Sequence, residues 1–214
     1  MAKDISAILR AMRAQVDKKP VVSSPDPFKV LVSTVLSQRT RDENTARASR
    51  RLFARYKTAR ALAKAPLKEV EILVKPAGFY RVKAARIKEV AREIEGRFKG
   101  KVPKDLSQLL SLPGVGRKTA NCVLVYGFGK PAMPVDVHVA VISQRLGLTN
   151  EKDPEKIERD LERILPKKYW LEFNHLCVRY GQKICLTRKP KCLICKLNKY
   201  CRYYEANKDN RAFL

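Results

Sequence analysis

Residues 105–126 read DLSQLLSLPGVGRKTANCVLVY. Two short helical patterns, Asp105–Ser111 and Lys118–Tyr126, meet at Leu112-Pro113-Gly114-Val115-Gly116-Arg117-Lys118. Two glycines one residue apart permit a tight turn with positive φ and bring backbone N–H groups to an open surface. Those groups, with the positive end of the following helix, suit a phosphate. Val115 between them can pack back against the helix pair. The stretch predicts a helix-hairpin-helix that grips nucleic-acid backbone without reading bases. A glycine-containing turn between two antiparallel helices is the plainer alternative. Pro113, the Arg117-Lys118 pair and the charge of the whole chain favour the phosphate site.

Outward from the hairpin the periodicity stays helical. Ile5, Ile8, Leu9, Met12 and Val16 fall on one face, as do Phe28, Leu31, Val32, Val35 and Leu36. Tyr80, Ala84, Ile87, Ala91 and Ile94 repeat the pattern, and Val139, Ile142 and Leu146 form another that ends at Gly147. Asp153-Pro154 marks a helix start, followed by Ile157, Leu161, Ile164 and Leu165, and Ser24-Pro25-Asp26-Pro27 marks another. Val123–Tyr126 is apolar enough for a strand but continues a helical pattern. The fold class is all-α, built from short helices of about 10–14 residues. A Gly/Pro-rich stretch at 127–134 and a cysteine-dense tail from Cys185 each suit the border of a lobe.

The 214 residues carry 46 Lys+Arg against 21 Asp+Glu, a net charge of +25. Self-repulsion on that scale works against a compact state, so an enzyme of small neutral metabolites has no use for it. A polyanion offsets it, nucleic acid first and an anionic membrane surface second. No run approaches the roughly 20 apolar residues of a membrane span. The N-terminus carries Asp4 early and does not read as a secretory signal. A reducing cytoplasm follows, where spaced cysteines hold metal more often than they form disulfides.

Cys185, Cys192, Cys195 and Cys201 read C-x6-C-x2-C-x5-C, four soft ligands that can enclose one centre. Zinc is an alternative, although its sites usually show paired knuckles. Arg188, Lys189 and Lys191 lie between the first two ligands as phosphate contacts or as a solvated loop. Cys122 and Cys177 sit in apolar helical patterns and read as core thiols. At a helix start the dipole disfavours an ammonium, so Lys118 suits a nucleophilic amine or a phosphate contact. Asp136, in Pro134-Val135-Asp136-Val137-His138, suits a helix N-cap or a catalytic carboxylate.

LPGVGRKTANCVL at Leu112–Leu124, followed by Val135-Asp136-Val137-His138, resembles the endonuclease III-like helix-hairpin-helix DNA glycosylases. Gly78-Phe79-Tyr80-Arg81-Val82-Lys83-Ala84, Val102-Pro103 and the cysteine tail extend the resemblance from about Phe28 to Cys201. It implies a six-helix barrel lobe with the hairpin at 22–132. It also implies an iron–sulfur lobe made of 1–21 and 133–214, with DNA in the cleft between the two lobes. It implies a [4Fe-4S] cluster on the four cysteines. Lys118 would attack C1′ of the damaged nucleotide, and Asp136 would assist base departure and stabilise the charge on the sugar. The Schiff base would then undergo β-elimination. Adenine-mismatch relatives lack this lysine, thymine-mismatch relatives carry tyrosine there, and purine-oxidation members lack the four cysteines.

The target base must leave the stack, and the family fills the gap with a glutamine and an apolar wedge. Phe79 takes the wedge position. The glutamine position falls on Arg39, with Gln38 one residue early. Asp42 matches a family acid or caps a helix at Glu43–Arg55, and His138 serves to orient the hairpin or to take part in chemistry. The implied partner is double-stranded DNA with damaged pyrimidines or abasic sites. The protein is expected to act as a monomer, without a membrane, in a prokaryotic cytoplasm near the nucleoid. Rival readings are a glycosylase for uracil or thymine opposite guanine, and a DNA-binding module without catalysis.

Overall fold

A computed structural model describes residues 4–16 and 25–209. Among the described residues every regular element is helical. The chain divides into two compact units, Val22–Lys130 and Met1–Val21 with Pro131–Leu214. Ser24 and the expected boundary near residue 22 lie outside the described residues. No helix among them is long and apolar enough to cross a membrane.

The first unit holds α2 (Pro27–Ser37), α3 (Asp42–Arg55), α4 (Ala59–Lys64), α5 (Leu67–Val74), α6 (Tyr80–Phe98), α7 (Leu106–Leu110) and α8 (Arg117–Cys122). The five-residue α7 is capped by the Asp105 carboxylate, which accepts from the Ser107 and Gln108 amides. Asp26 caps α2, with Pro27 in the first turn. Asp42 does not cap α3: it is the first helical residue, the cap position is Arg41, and no side chain caps that end. The apolar face of α2 is buried as its period requires. The 19-residue α6 packs against α4, α5 and α2. It buries Ala84, Ile87, Ala91 and Ile94, and also Lys83 and Lys88. The Lys88 ammonium donates to the carbonyls of Leu62, Ala63 and Ala65 and so closes the C-terminal end of α4. Val123–Gly127 continues α8 as a turn of π-helix.

The second unit is built on α1 (Ile5–Arg13), α9 (Val137–Leu146), α10 (Pro154–Ile164), α11 (Trp170–Lys183) and the short α12 (Arg202–Glu205). α11 is central, with α1 and α9 against it. Ile8, Leu9, Met12, Ile142, Leu161, Phe173 and Tyr180 form the heart of its core. Asp153 and Pro154 open α10 as the sequence predicts, but Ile164 at its last turn is 36% exposed while Leu165 is buried. The α1 helix is held to this unit by a two-pronged ion pair, Arg13 Nε and Nη2 to Glu172 Oε1 and Oε2, both 2.5 Å.

His175 on α11 adds a pH dependence. Burial, with the Arg179 charge alongside, holds its imidazole below the ordinary histidine value, against an opposing pull from Glu172. On acidification the unfolded chain binds a proton on this ring before the folded chain does. Folded-state stability therefore falls as pH drops from about 6.5 through the lowered value, and is untouched above that window. Urea unfolding of wild type and His175→Phe between pH 7.5 and 5 should show a shallower loss in the variant. Equal losses would place the dependence on other groups.

Candidate functional site

The hairpin turns at Gly114, whose φ of 69° is left-handed. Val115 is buried and its N–H donates to Leu112 O at 3.1 Å. A Cβ on Gly114 would fall 2.2 Å from Arg86 Cδ, so this turn rests on the α6 side chain. Gly116 differs from expectation. It is extended at φ −87° and ψ 174°, a conformation any residue adopts, and a Cβ there would meet nothing within 4 Å. Only Gly114 needs glycine for the backbone. Gly116 is the N-cap position of α8, and no side-chain hydrogen bond caps that helix. Lys118, half-buried, is the second residue of α8 and Arg117 the first.

Two further exposed turns lie in the same unit. Gln38-Arg39-Thr40 follows α2, with Arg39 left-handed at φ 51°. Gln38 Nε2 approaches Gly114 O at 3.4 Å, linking this turn to the hairpin. Gly78-Phe79 precedes α6, with Phe79 at φ 57° and 66% exposed. A Cβ on Gly78 would stand 3.5 Å from Arg39 O. Gln38, Arg39, Phe79 and Gly114 therefore gather at one edge of this unit.

Asp136 belongs to the other unit. It caps α9: its Oδ1 accepts from the amides of His138 and Val139, both at 2.9 Å. One carboxylate oxygen makes both cap bonds. Three residues of α11 at i, i+3 and i+7 underlie this strap. Asn174 Nδ2 donates to Pro134 O at 2.7 Å. Cys177 is fully buried, and burial together with the Asp136 charge pushes its thiol up. Gly181 leaves room for His138, since a Cβ there would fall 2.3 Å from His138 Nδ1. The His138 ring is thus packed under the strap.

Cys185, Cys192, Cys195 and Cys201 line one pocket, together with Ile142, Arg145 and Leu197. Among the described residues no three His, Cys, Asp or Glu side chains stand close enough to hold a single metal ion. Arg145 from α9 ties down the first strand of the pocket: its Nη1 donates to Cys185 Sγ at 3.1 Å and Leu186 O at 2.8 Å, and its Nη2 to Thr187 O at 2.9 Å. Gln15, just past α1, clamps the middle. Its Nε2 donates to Ile194 O at 2.7 Å, and its Oε1 accepts from the Lys196 amide at 2.7 Å and from the Tyr180 hydroxyl. That hydroxyl also stands 3.2 Å from Cys195 Sγ. Burial pushes the thiols of Cys185 and Cys201 up. Burial and the neighbouring cysteines push Cys192 up to about 11. Four cysteine sulfurs around one pocket are a soft donor set of the kind that fits a thiolate-held metal centre, in which a cation replaces the thiol protons. Arg188, Lys189 and Lys191 are exposed on the connecting loop, Lys189 with left-handed backbone at φ 52°.

Periodicity could not single out Gln15, Tyr180, Asn174 or Arg145, because their partners lie tens to hundreds of residues away. Lys83 and Lys88 left a trace: charged residues in phase with a buried face.

A two-unit helical chain with this hairpin, a lysine in the first turn of the next helix and a four-cysteine pocket is the architecture of a DNA repair protein. The chain belongs to the HhH-GPD superfamily of base excision DNA repair proteins, whose pattern spans residues 32–167. It is 50% identical over 179 residues to endonuclease III of Thermotoga maritima, covering 84% of each chain. Among solved structures, a trapped endonuclease III–DNA covalent intermediate (an estranged-adenine complex) superposes with a TM-score of 0.89 at 33% identity. It covers 97% of this chain and 99% of that one. A thermostable thymine-DNA glycosylase superposes with a TM-score of 0.84 at 29% identity, over 94% of each chain.

Gly181→Ala tests the packing beneath the Asp136 strap. The new methyl must displace His138, and overpacking of this kind costs about 1–3 kcal/mol. Chemical unfolding should show that loss, and Gly116→Ala, with open space around its Cβ, should show none. A Gly181→Ala protein as stable as wild type would mean the strap yields without resistance.

Proposed function

We propose that the protein is a bifunctional base excision repair enzyme: it releases oxidised or ring-saturated pyrimidines from duplex DNA and cuts the strand at the abasic site. The observation that carries this reading is Lys118 in the first turn of a side-chain-uncapped helix, directly after the Gly114-Val115-Gly116 hairpin. The hairpin amides hold a phosphate of the damaged strand, which brings the Lys118 amine to the sugar. Nζ attacks C1′ as the C1′–N bond breaks and the base leaves. Asp136 stabilises the positive charge that develops on the sugar. The nitrogen gives up one proton, the C1′–O4′ bond breaks with its electron pair on O4′, which takes up a proton as the ring opens, and the iminium at C1′ keeps the remaining N–H. A C2′ proton then departs, its electron pair forms the C2′–C3′ double bond, and the 3′ phosphate leaves. Water later hydrolyses the iminium and frees the lysine.

Gln38 or Arg39 fills the space of the extruded nucleotide and Phe79 wedges the neighbouring step. Gly114, Val115, Gly116 and Arg117 contact backbone through the hairpin, and Arg188, Lys189 and Lys191 through the loop. That Gly116 has no internal need for glycine supports a close approach by something outside the chain. Cys185, Cys192, Cys195 and Cys201 would hold a [4Fe-4S] cluster, which when bound cross-links the loop between α11 and α12 as a structural centre. The enzyme acts as a monomer on DNA in the cytoplasm. The likeness to a thymine-DNA glycosylase favours a second reading, excision of thymine or uracil opposite guanine. Lys118, where thymine-mismatch relatives carry tyrosine, argues for the first.

Borohydride trapping on a duplex with one abasic site should yield a covalent adduct with wild type and none with Lys118→Gln. An adduct of equal yield in the variant would remove Lys118 from the chemistry. A panel of thymine glycol, G·U and G·T duplexes separates the two substrate readings by their excision rates. For the cofactor, purified protein should be brown and carry about four irons per chain. Colourless protein with one zinc would assign the pocket to zinc.

A further inference from the structure

The two turns read as gap fillers are joined by one residue. Lys83 is the fourth residue of α6 and 5% exposed. Its Nζ donates to Leu36 O at 2.8 Å and to Thr40 Oγ1 at 2.5 Å, so it grips both sides of the Gln38-Arg39-Thr40 turn. Its own amide donates to Phe79 O at 3.1 Å, the carbonyl of the wedge residue. The turns also touch directly, since a Cβ on Gly78 would lie 3.5 Å from Arg39 O and 3.7 Å from Thr40 Oγ1.

Stability alone does not account for a lysine here. Both partners are neutral oxygens, and burial holds the amine below its ordinary value. Taking an ammonium out of water is costly, and a methionine would fill the same volume without that cost. Two compensations exist. The ammonium sits at the C-terminal end of α2, where orphan carbonyls and the helix dipole favour a cation. It also over-determines a strained backbone. Arg39 and Phe79 are both left-handed non-glycine residues, and such conformations persist only where their surroundings impose them.

We infer that Lys83 is a positioning residue for base extrusion: it holds the Arg39 turn and the Phe79 turn at one fixed spacing, so that both side chains enter the duplex together. The inference rests on the proposed roles of those turns. Lys83 touches neither DNA nor the reacting atoms, so its loss acts on insertion and not on binding or on the amine.

The test uses full-length Lys83→Met and Thr40→Val, singly and combined, on a duplex with 2-aminopurine opposite thymine glycol. Lys83→Met should lower single-turnover base release at saturating DNA by about tenfold or more, the scale of a small misplacement, and should lower the 2-aminopurine signal of insertion. Thr40→Val should give a smaller loss that vanishes in the Lys83→Met background, as for two members of one network. Affinity for undamaged duplex and its salt dependence should stay within about twofold. Cleavage at a preformed abasic site, where no base pair must be broken, should fall by less than about threefold. Lys83→Arg, which keeps a buried cationic donor, should recover part of the loss.

Wild-type base release by Lys83→Met would overturn the inference, and so would equal losses in base release and abasic cleavage. Additive effects of the two substitutions would also overturn it. If Lys83→Met does not fold, the Thr40→Val loss of release without loss of abasic cleavage decides alone. Arg39→Ala, Gln38→Ala and Phe79→Ala separate this inference from the reading beneath it. If all three release base at the wild-type rate, the gap-filling reading fails. If they are impaired while Lys83→Met is not, only the positioning role fails.

Discussion

A helix leaves four amide hydrogens at its start and four carbonyl oxygens at its end without partners inside the helix. The dozen α-helices among the described residues, most of them short, multiply those ends, and satisfying them shapes this molecule. Asp4, Asp26, Thr58, Asp105, Asp136 and Asp153 close the N-terminal ends with side-chain oxygens. Lys83 and Lys88 reach from α6 to close the C-terminal ends of α2 and α4. The residues proposed for function sit at the same places. Asp136 is a cap, Lys118 lies in the first turn after an uncapped one, and Arg39 and Phe79 flank helix ends. Cys201 Sγ accepts the Tyr204 amide of α12 at 3.4 Å.

This economy ties structure to chemistry. The Asp136 oxygen that accepts two amides is fixed by a requirement of α9, so the orientation of the carboxylate follows from helix formation and needs no separate device. The strap that carries it is fixed from below by Asn174 and by the room that Gly181 leaves for His138. The cysteine pocket works in the same way. Gln15 spends both ends of its amide on the loop around Cys195, and Arg145 spends its guanidinium on the loop around Cys185. The loop that carries the sulfurs is held by side chains from α9 and from just past α1, as outer partners orient the ligands of metal sites.

The net charge of +25 plays a different part. It gives sequence-independent affinity for a polyanion and selects no lesion. Under the proposed function, selection lies in what happens after backbone contact, when a base must be extruded and its place filled. The neutral oxygens around Lys83 show the distinction within one residue type: surface lysines serve the field of the whole protein, and this one is withdrawn from solvent to hold two turns.

Local rules sufficed for much of this. The apolar faces of α1, α2, α6 and α9, the Asp-Pro starts of α2 and α10, the hairpin at 112–118 and the cysteine spacing were all legible, because period, capping and ligand spacing act over a few residues. The family followed from motifs in order, with Lys118 and Asp136 marked by their place in them. Three features were decided only in three dimensions. Asp42 became the first residue of α3 in place of its cap. Of the two hairpin glycines, Gly114 alone took the left-handed turn. Lys83, in phase with an apolar stripe and lying in the Gly78–Ala84 motif without a role read for it, found Leu36 and Thr40 more than forty residues back along the chain. Such partnerships depend on where helices cross, and crossing geometry is set by the packing of whole faces, which no short window of sequence contains.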